Sequence, residues 1–194
     1  MEESDVSIRQ EQPMSSDALV RTPMSFEDYL ALPEGDRAEY VDGVCIRMSA
    51  SPMARHQRIA WRLANAIDDG VPGLFVVEAV GVWTAARRSR IPDIVVTESP
   101  FDGPWSDQTP LLVVEVLSPA TRTEDTFRKS REYGDAGIGQ YWIVDHENRK
   151  LTVLANNGDG WDVAVELDAE HPTGEVALAG HGTVALDLDA LLAV

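Results

Sequence analysis

Residues 111–117 read Leu-Leu-Val-Val-Glu-Val-Leu, and apolar side chains on both faces of an extended run belong in the middle of a covered sheet. Leu111, Val113 and Leu117 share one face with Glu115, while Leu112, Val114 and Val116 take the other. Withdrawing an unpaired carboxylate from water costs several kcal/mol, roughly, so such groups are paired or bound to a metal. Whatever fold this chain adopts must compensate Glu115.

The flanking sequence predicts the elements that cover this strand. In "TPMSFEDYLALP", Ser25 caps a short helix that ends by Pro33. Asp42-Gly43 predicts a two-residue hairpin pairing Val41 with Val44 and Glu39 with Ile46. Ser51 and Pro52 open a helix carrying Ile59, Leu63, Ala66 and Ile67 on one stripe. Strands are expected at about 74–84, 91–97 and 111–117, with a Gly-, Pro- and Asp-rich loop before the last. Thr121 and Glu124 form a capping box for a helix running to about Ala136 and Gly137. "GQYWIVD", "KLTVLAN" and "WDVAVEL" follow as strands, the last with Trp161, Val163, Val165 and Leu167 on one face. This order predicts an α/β (α+β) fold with a mixed central β-sheet flanked by helices, in one domain over residues 22–194 whose C-terminal strands begin near 150. Residues 1–21 read as a flexible tail.

No apolar run approaches the roughly 20 residues of a membrane span, and the acidic N-terminus is unlike a signal peptide. With one cysteine, Cys45, the expectation is a cytoplasmic protein without an internal disulfide or a multi-cysteine metal site. The 33 acidic residues against 16 basic ones give a formal charge of -17. Long-range attraction to a polyanion is correspondingly weak, so nucleic acid would need bound cations or a local basic patch.

Four polar residues fall where periodicity expects apolar ones. Hairpin alternation puts Glu39 with Val41, Val44, Ile46 and Met48. Asp93 in "RIPDIVVT" shares a face with Ile91 and Val95, Glu115 lies in the central run, and Lys129 shares a helical stripe with Tyr133 and Ala136. Each has an ordinary explanation: an edge carboxylate paired with arginine, a snorkelling lysine, a packing tyrosine. His56, on the stripe of Ile59 and Leu63, reads alone as a satisfied core histidine. Together, three carboxylates and a lysine suit a hard divalent cation, Mg²⁺ or alternatively Mn²⁺, and phosphodiester hydrolysis.

In order, "AEYVDG", His56 opening a helix, "IPDIVV", "LLVVEVLSPATRTED", and Lys129 with Tyr133 and "AGIGQYWIVD" resemble the Uma-type restriction endonuclease family. That family is a bacterial branch of the PD-(D/E)XK nuclease superfamily. The resemblance covers about residues 22–156 and implies a restriction-endonuclease-like sheet with a Mg²⁺-dependent site. It implies Asp93 and Glu115 as metal ligands and Glu39 as the upstream acidic residue. Two residues past Glu115 the superfamily has lysine, and this chain has Leu117. Lys129 is the expected substitute, because a long flexible stem can bring its ammonium to the same point. His56 and Tyr133 are auxiliary candidates, and Gln140 stands where relatives often have Glu.

The expected partner is nucleic acid, DNA first, gripped by Arg87, Arg88 and Arg90, with Arg122 and Arg128 extending the patch. A homodimer is expected from the "WTAARRS" hairpin. Two other functions fit the sequence: a catalytically inactive nuclease fold that binds nucleic acid or another partner, motivated by Leu117, and a metal-dependent hydrolase of small phosphorylated molecules, motivated by the acidity.

Overall fold

In the computed structural model, which describes residues 19–33, 35–48, 53–118, 122–178 and 180–193, Asp42 and Gly43 have φ of 51° and 84°. Positive φ at both positions defines the hairpin turn whose twist matches its strands. It joins β2 (Ala38–Val41) to β3 (Val44–Met48) in the expected register, Glu39 opposite Ile46 and Val41 opposite Val44. Outside them, β1 (Leu19–Pro23) pairs with β3, so Leu19, Val20 and Arg21 belong to the sheet and not to the N-terminal tail. The next helix, α1 (Phe26–Leu30), is capped as expected, the Asp28 N–H donating to the Ser25 hydroxyl.

Helix α2 (Ala54–Gly70) buries Ile59, Leu63 and Ile67, with Ala60 and Ala64 beside them; its expected cap, Ser51 with Pro52, lies outside the described residues, as does Thr121 of the capping box. The single strand expected at 74–84 is two strands. β4 (Phe75–Glu78) and β5 (Val82–Ala85) are separated at Ala79, whose φ is 54°. They enter different sheets, β4 pairing with β7 (Ile94–Thr97) and β5 with β6 (Arg88–Arg90).

The remaining strands are β8 (Leu112–Val116), β9 (Gln140–Asp145), β10 (Lys150–Asn156), β11 (Trp161–Leu167), β12 (Thr173–Leu178) and β13 (Gly182–Asp187), before the last helix, Leu188–Leu192. Six strands form a sheet in the order β11-β10-β9-β8-β7-β4. Strand β8 runs parallel to β9 and antiparallel to β7, so the sheet is mixed and β8 is central. A second sheet has the order β1-β3-β2-β6-β5, and β12–β13 is a separate hairpin. Between β8 and β9 the chain winds as a π-helix over Glu124–Lys129 and continues as α3 (Ser130–Asp135).

The two faces of the six-stranded sheet are covered differently. On one, Leu112, Val114, Val116, Ile94, Val96, Trp142 and Val144 pack against α2, the β12–β13 hairpin and the last helix. Each fully buried Leu, Ile or Val is worth about 1.5–3 kcal/mol here. On the other, Val95, Val113 and Tyr141 meet Tyr133 and Ile138. The expected alternation in β11 fails at a bulge: Val153 pairs with Val165 and Leu154 with Val163, leaving Ala164 extra. The extra residue reverses the facing of what precedes it. Val165 therefore packs on the α2 side, Trp161 on the α3 side, and Val163 is 62% exposed. Among the described residues no helix is long and apolar enough to cross a membrane.

Candidate active site

Glu115 is 4% exposed and faces α3 alongside Val113. Ile94 pairs with Val114, which puts Asp93 opposite Glu115 on the neighbouring strand. Pro92 carries no N–H for the ladder, and just beyond it the Asp93 side chain takes over a strand's role: its Oδ2 accepts from the Val116 N–H at 2.7 Å. His56, from the first turn of α2, lies with Nε2 2.9 Å from the Val116 carbonyl oxygen and 3.3 Å from Asp93 Oδ2. Both partners are acceptors, so Nε2 carries the proton. Burial alone would lower the His56 pKa, but the bond to Asp93 raises it above the ordinary value. Far from filling a core position, His56 braces Asp93.

The π-helix delivers the cation. Asp125 and Lys129 are buried within it, while Phe127 between them is 73% exposed. Two ring donors from the sheet hold the segment: Tyr141 Oη–H donates to the Asp125 carbonyl at 2.9 Å and Trp161 Nε1–H to the Ser130 carbonyl at 2.8 Å. Lys129 Nζ lies 2.8 Å from Glu115 Oε1, 3.0 Å from Asp125 Oδ1 and 3.2 Å from Glu39 Oε1. An ammonium has three N–H donors, and here three carboxylates surround it. One turn on, Tyr133 Oη–H donates to the same Glu115 oxygen at 2.8 Å. Leu117 is buried and its N–H continues the sheet to the Val144 carbonyl, so the ammonium beside Glu115 comes from Lys129.

Negative charge dominates this pocket. Burial raises the Glu115 pKa well above the carboxylate range; Lys129 opposes the shift, but Asp125, Asp93 and Glu39 add to it. Burial would lower the Lys129 pKa, yet Asp125, Glu115 and Glu39 hold it well above the usual lysine value. Beyond burial, both shifts share one contribution, since a crowd of carboxylates retains protons and attracts cations. Burial likewise pushes the Tyr133 hydroxyl up, reinforced by Glu115. Glu39 moves the other way: burial raises it, but Lys129 and Arg90 bring it below its ordinary value. Among the described residues, no three His, Cys, Asp or Glu side chains converge as a ready set of metal ligands.

The expected basic patch is divided. Arg90 is fully buried and cannot meet a surface ligand; its Nε donates to Glu132 at 2.6 Å, Nη1 to Glu39 at 2.8 Å and Nη2 to Glu124 at 2.8 Å. Arg88 bonds Asp42 at 2.7 Å and lies 3.6 Å from Glu132. Arg128 bonds Asp42 and Glu132, and Arg122 bonds Asp145 and Glu147. Arg87 is exposed, beside Glu27 and over the Phe26 ring. Gln140 stands apart from the site, joining Trp142 to the Ala177 carbonyl. Sequence reasoning missed Asp125, although its spacing of four from Lys129 and of eight from Tyr133 is visible. It also passed over how rare lysine is: the chain has two, Lys129 and Lys150.

A central mixed sheet carrying paired acidic residues and an adjacent lysine defines a protein with a restriction-endonuclease-like fold. A solved structure, described as a putative nuclease belonging to DUF820 from Anabaena variabilis, is similar with a TM-score of 0.67 at 20% identity, covering 88% of this chain and 98% of that one. The profile of the Uma2 family, described as "Putative restriction endonuclease", matches residues 26–187, and the chain belongs to that family. No curated protein matches it.

Proposed function

We propose that the protein is a divalent-cation-dependent nuclease that hydrolyses phosphodiester bonds in DNA. The observation that carries this reading is the Lys129 ammonium 2.8 Å from Glu115, with Asp93 on the adjacent strand. Family membership supports it.

The residues suit Mg²⁺ or Mn²⁺. Mg²⁺ takes one or two protein carboxylates and fills its other positions with water and substrate phosphate, which a pair such as Asp93 and Glu115 would allow. Beyond burial, the neighbouring carboxylates that add to the raised Glu115 pKa are the charge pattern a divalent cation relieves. Such an ion would supply a water acidified toward neutrality and positive charge for the phosphoryl oxygens. The chain's own side chains do the rest. Lys129 and Tyr133 hold Glu115 from one side, and the Val116 N–H and His56 hold Asp93 from the other. Lys129 would also keep a fixed positive charge near the phosphoryl oxygens, where negative charge develops, an interaction strengthened by burial. Exposed Arg87 is the remaining candidate for backbone contact. The test is cleavage of plasmid and single-stranded DNA with Mg²⁺ or Mn²⁺: we expect cleavage that Asp93→Ala abolishes, and cleavage surviving Asp93→Ala would overturn the site.

A second reading, hydrolysis of small phosphorylated molecules, is favoured by the charge of -17 and by the carboxylate pairing of Arg88, Arg90, Arg122 and Arg128. Turnover of nucleotides without cleavage of DNA would establish it.

A further inference from the structure

Arg90 has no contact with solvent, and its guanidinium bonds three carboxylates from two directions. Glu132 takes Nε and Nη2, at 2.6 and 3.1 Å, and Glu124 takes Nη2 at 2.8 Å; both come from the segment that also carries Lys129. Glu39, from β2, takes Nη1 at 2.8 Å through Oε2. The other Glu39 oxygen, Oε1, accepts from the Ile91 N–H at 3.2 Å and lies 3.2 Å from Lys129 Nζ. A chain of alternating charge thus runs from Glu132 through Arg90, Glu39 and Lys129 to Glu115. Glu39 is the link between the two buried cations, with one oxygen committed to each.

We propose that Arg90 is a positioning residue: it fixes the Glu39 carboxylate, and Glu39 in turn holds the Lys129 ammonium against Glu115. This rests on the reading of Lys129 as the cation of the active site. The planar guanidinium fork suits the task because it meets several carboxylates at once in fixed directions, which a compact ammonium cannot do. Without the fork, Glu39 keeps one backbone donor and Lys129, and nothing sets the angle of its carboxylate. Lys129 would then settle toward Asp125, its neighbour one turn back at 3.0 Å.

The experiment uses the chain's two lysines. Protein labelled with ¹³C,¹⁵N-lysine gives two Cε–Hε correlations, assigned with Lys150→Arg. Lys150 is part-exposed and paired with Glu166 on the edge strand, so it serves as an internal control. Arg90→Lys preserves the charge and loses the fork; it adds a third lysine, whose correlation is told apart by adding Lys129→Arg to the same variant, and it should move the Lys129 correlation and leave that of Lys150 in place. Glu39→Gln should move it likewise, and the double variant should differ little from either single one, because both act through one link. If Arg90→Lys does not fold, Glu132→Gln loosens Arg90 from its far side and should shift Lys129 in the same direction by less. A Lys129 correlation unchanged in a folded Arg90→Lys or Glu132→Gln protein, or additive shifts in the double variant, would overturn the proposal. Cleavage assays on the same samples separate the two readings. A shifted lysine in a protein that cleaves nothing leaves the positioning intact and removes the nuclease, whereas an active parent with an unmoved lysine does the reverse.

Discussion

One strand serves two unlike environments. On the α2 face of the six-stranded sheet, β8 contributes Leu112, Val114 and Val116 to an apolar core. On the α3 face, two residues beyond Val113, it contributes Glu115 to a cluster in which Glu115, Glu39 and Asp125 crowd a single ammonium, with Asp93 opposite on the neighbouring strand. The first face stabilises the fold through removal of apolar area from water. The second keeps like charges close together, and in buried ionic sites desolvation can exceed the Coulombic gain. The larger apolar core lies on the first face, and the second carries, beside a smaller apolar cluster, the charged group of residues proposed as the active site. That division predicts opposite responses to substitution on the two sides.

The largest effect is expected on activity. Asp93→Asn should lower metal-dependent cleavage by about 10²–10³-fold, as for removal of one preorganised electrostatic group, with a thermal midpoint close to the parent's. Next is Lys129→Met, which leaves Glu115, Asp125 and Glu39 buried without their shared cation; breaking a buried pair in this way costs about 3–5 kcal/mol, measured by urea unfolding. Leu112→Ala on the opposite face should cost about 2–5 kcal/mol while the activity per folded molecule is unchanged. If Leu112→Ala instead lost activity at full stability, the two faces would not be separable.

Glu115→Gln is isosteric and relieves the crowding of carboxylates. The folded-state pKa of Glu115 lies above its ordinary value of 4.5, so between those values the folded state binds more protons than the unfolded one. Stability from this group is therefore greatest at low pH and declines as pH rises through the folded value. Glu115→Gln lacks that decline, so relative to the parent it should gain stability as pH rises above the ordinary carboxylate value of 4.5 in metal-free buffer, while losing activity. The smallest effect is expected at Val163, which the β11 bulge exposes: Val163→Thr should stay within about 0.5 kcal/mol of the parent.

The legible parts of this molecule are those whose neighbours are close in sequence. Asp42-Gly43 carries its own turn geometry, the α2 stripe its own period, and the central strand its own burial. The carboxylates were visible as polar residues on apolar faces, and Lys129 lay in register with Tyr133. Arg90 was not legible as a buried cation. It ends a three-residue strand next to exposed Arg87, and its partners Glu124 and Glu132 lie 34 and 42 residues away. Local composition marks such a run as a surface patch, and only tertiary contact reveals an ion cluster. The division of 74–84 into two strands turns on a positive φ at Ala79, a conformation that alanine does not announce. The β11 bulge is equally silent, since an extra residue changes the facing of side chains without changing their alternation in the sequence.

The face of the sheet bearing Asp93 and Glu115 is proposed as a divalent-cation site, and calorimetric titration with Mn²⁺ measures that binding. The parent protein should bind Mn²⁺, Asp93→Asn should lose that binding, and Glu115→Gln should weaken it at least about tenfold, a difference near 1.4 kcal/mol. A parent that binds no Mn²⁺, or binding that survives both substitutions, would contradict the claim.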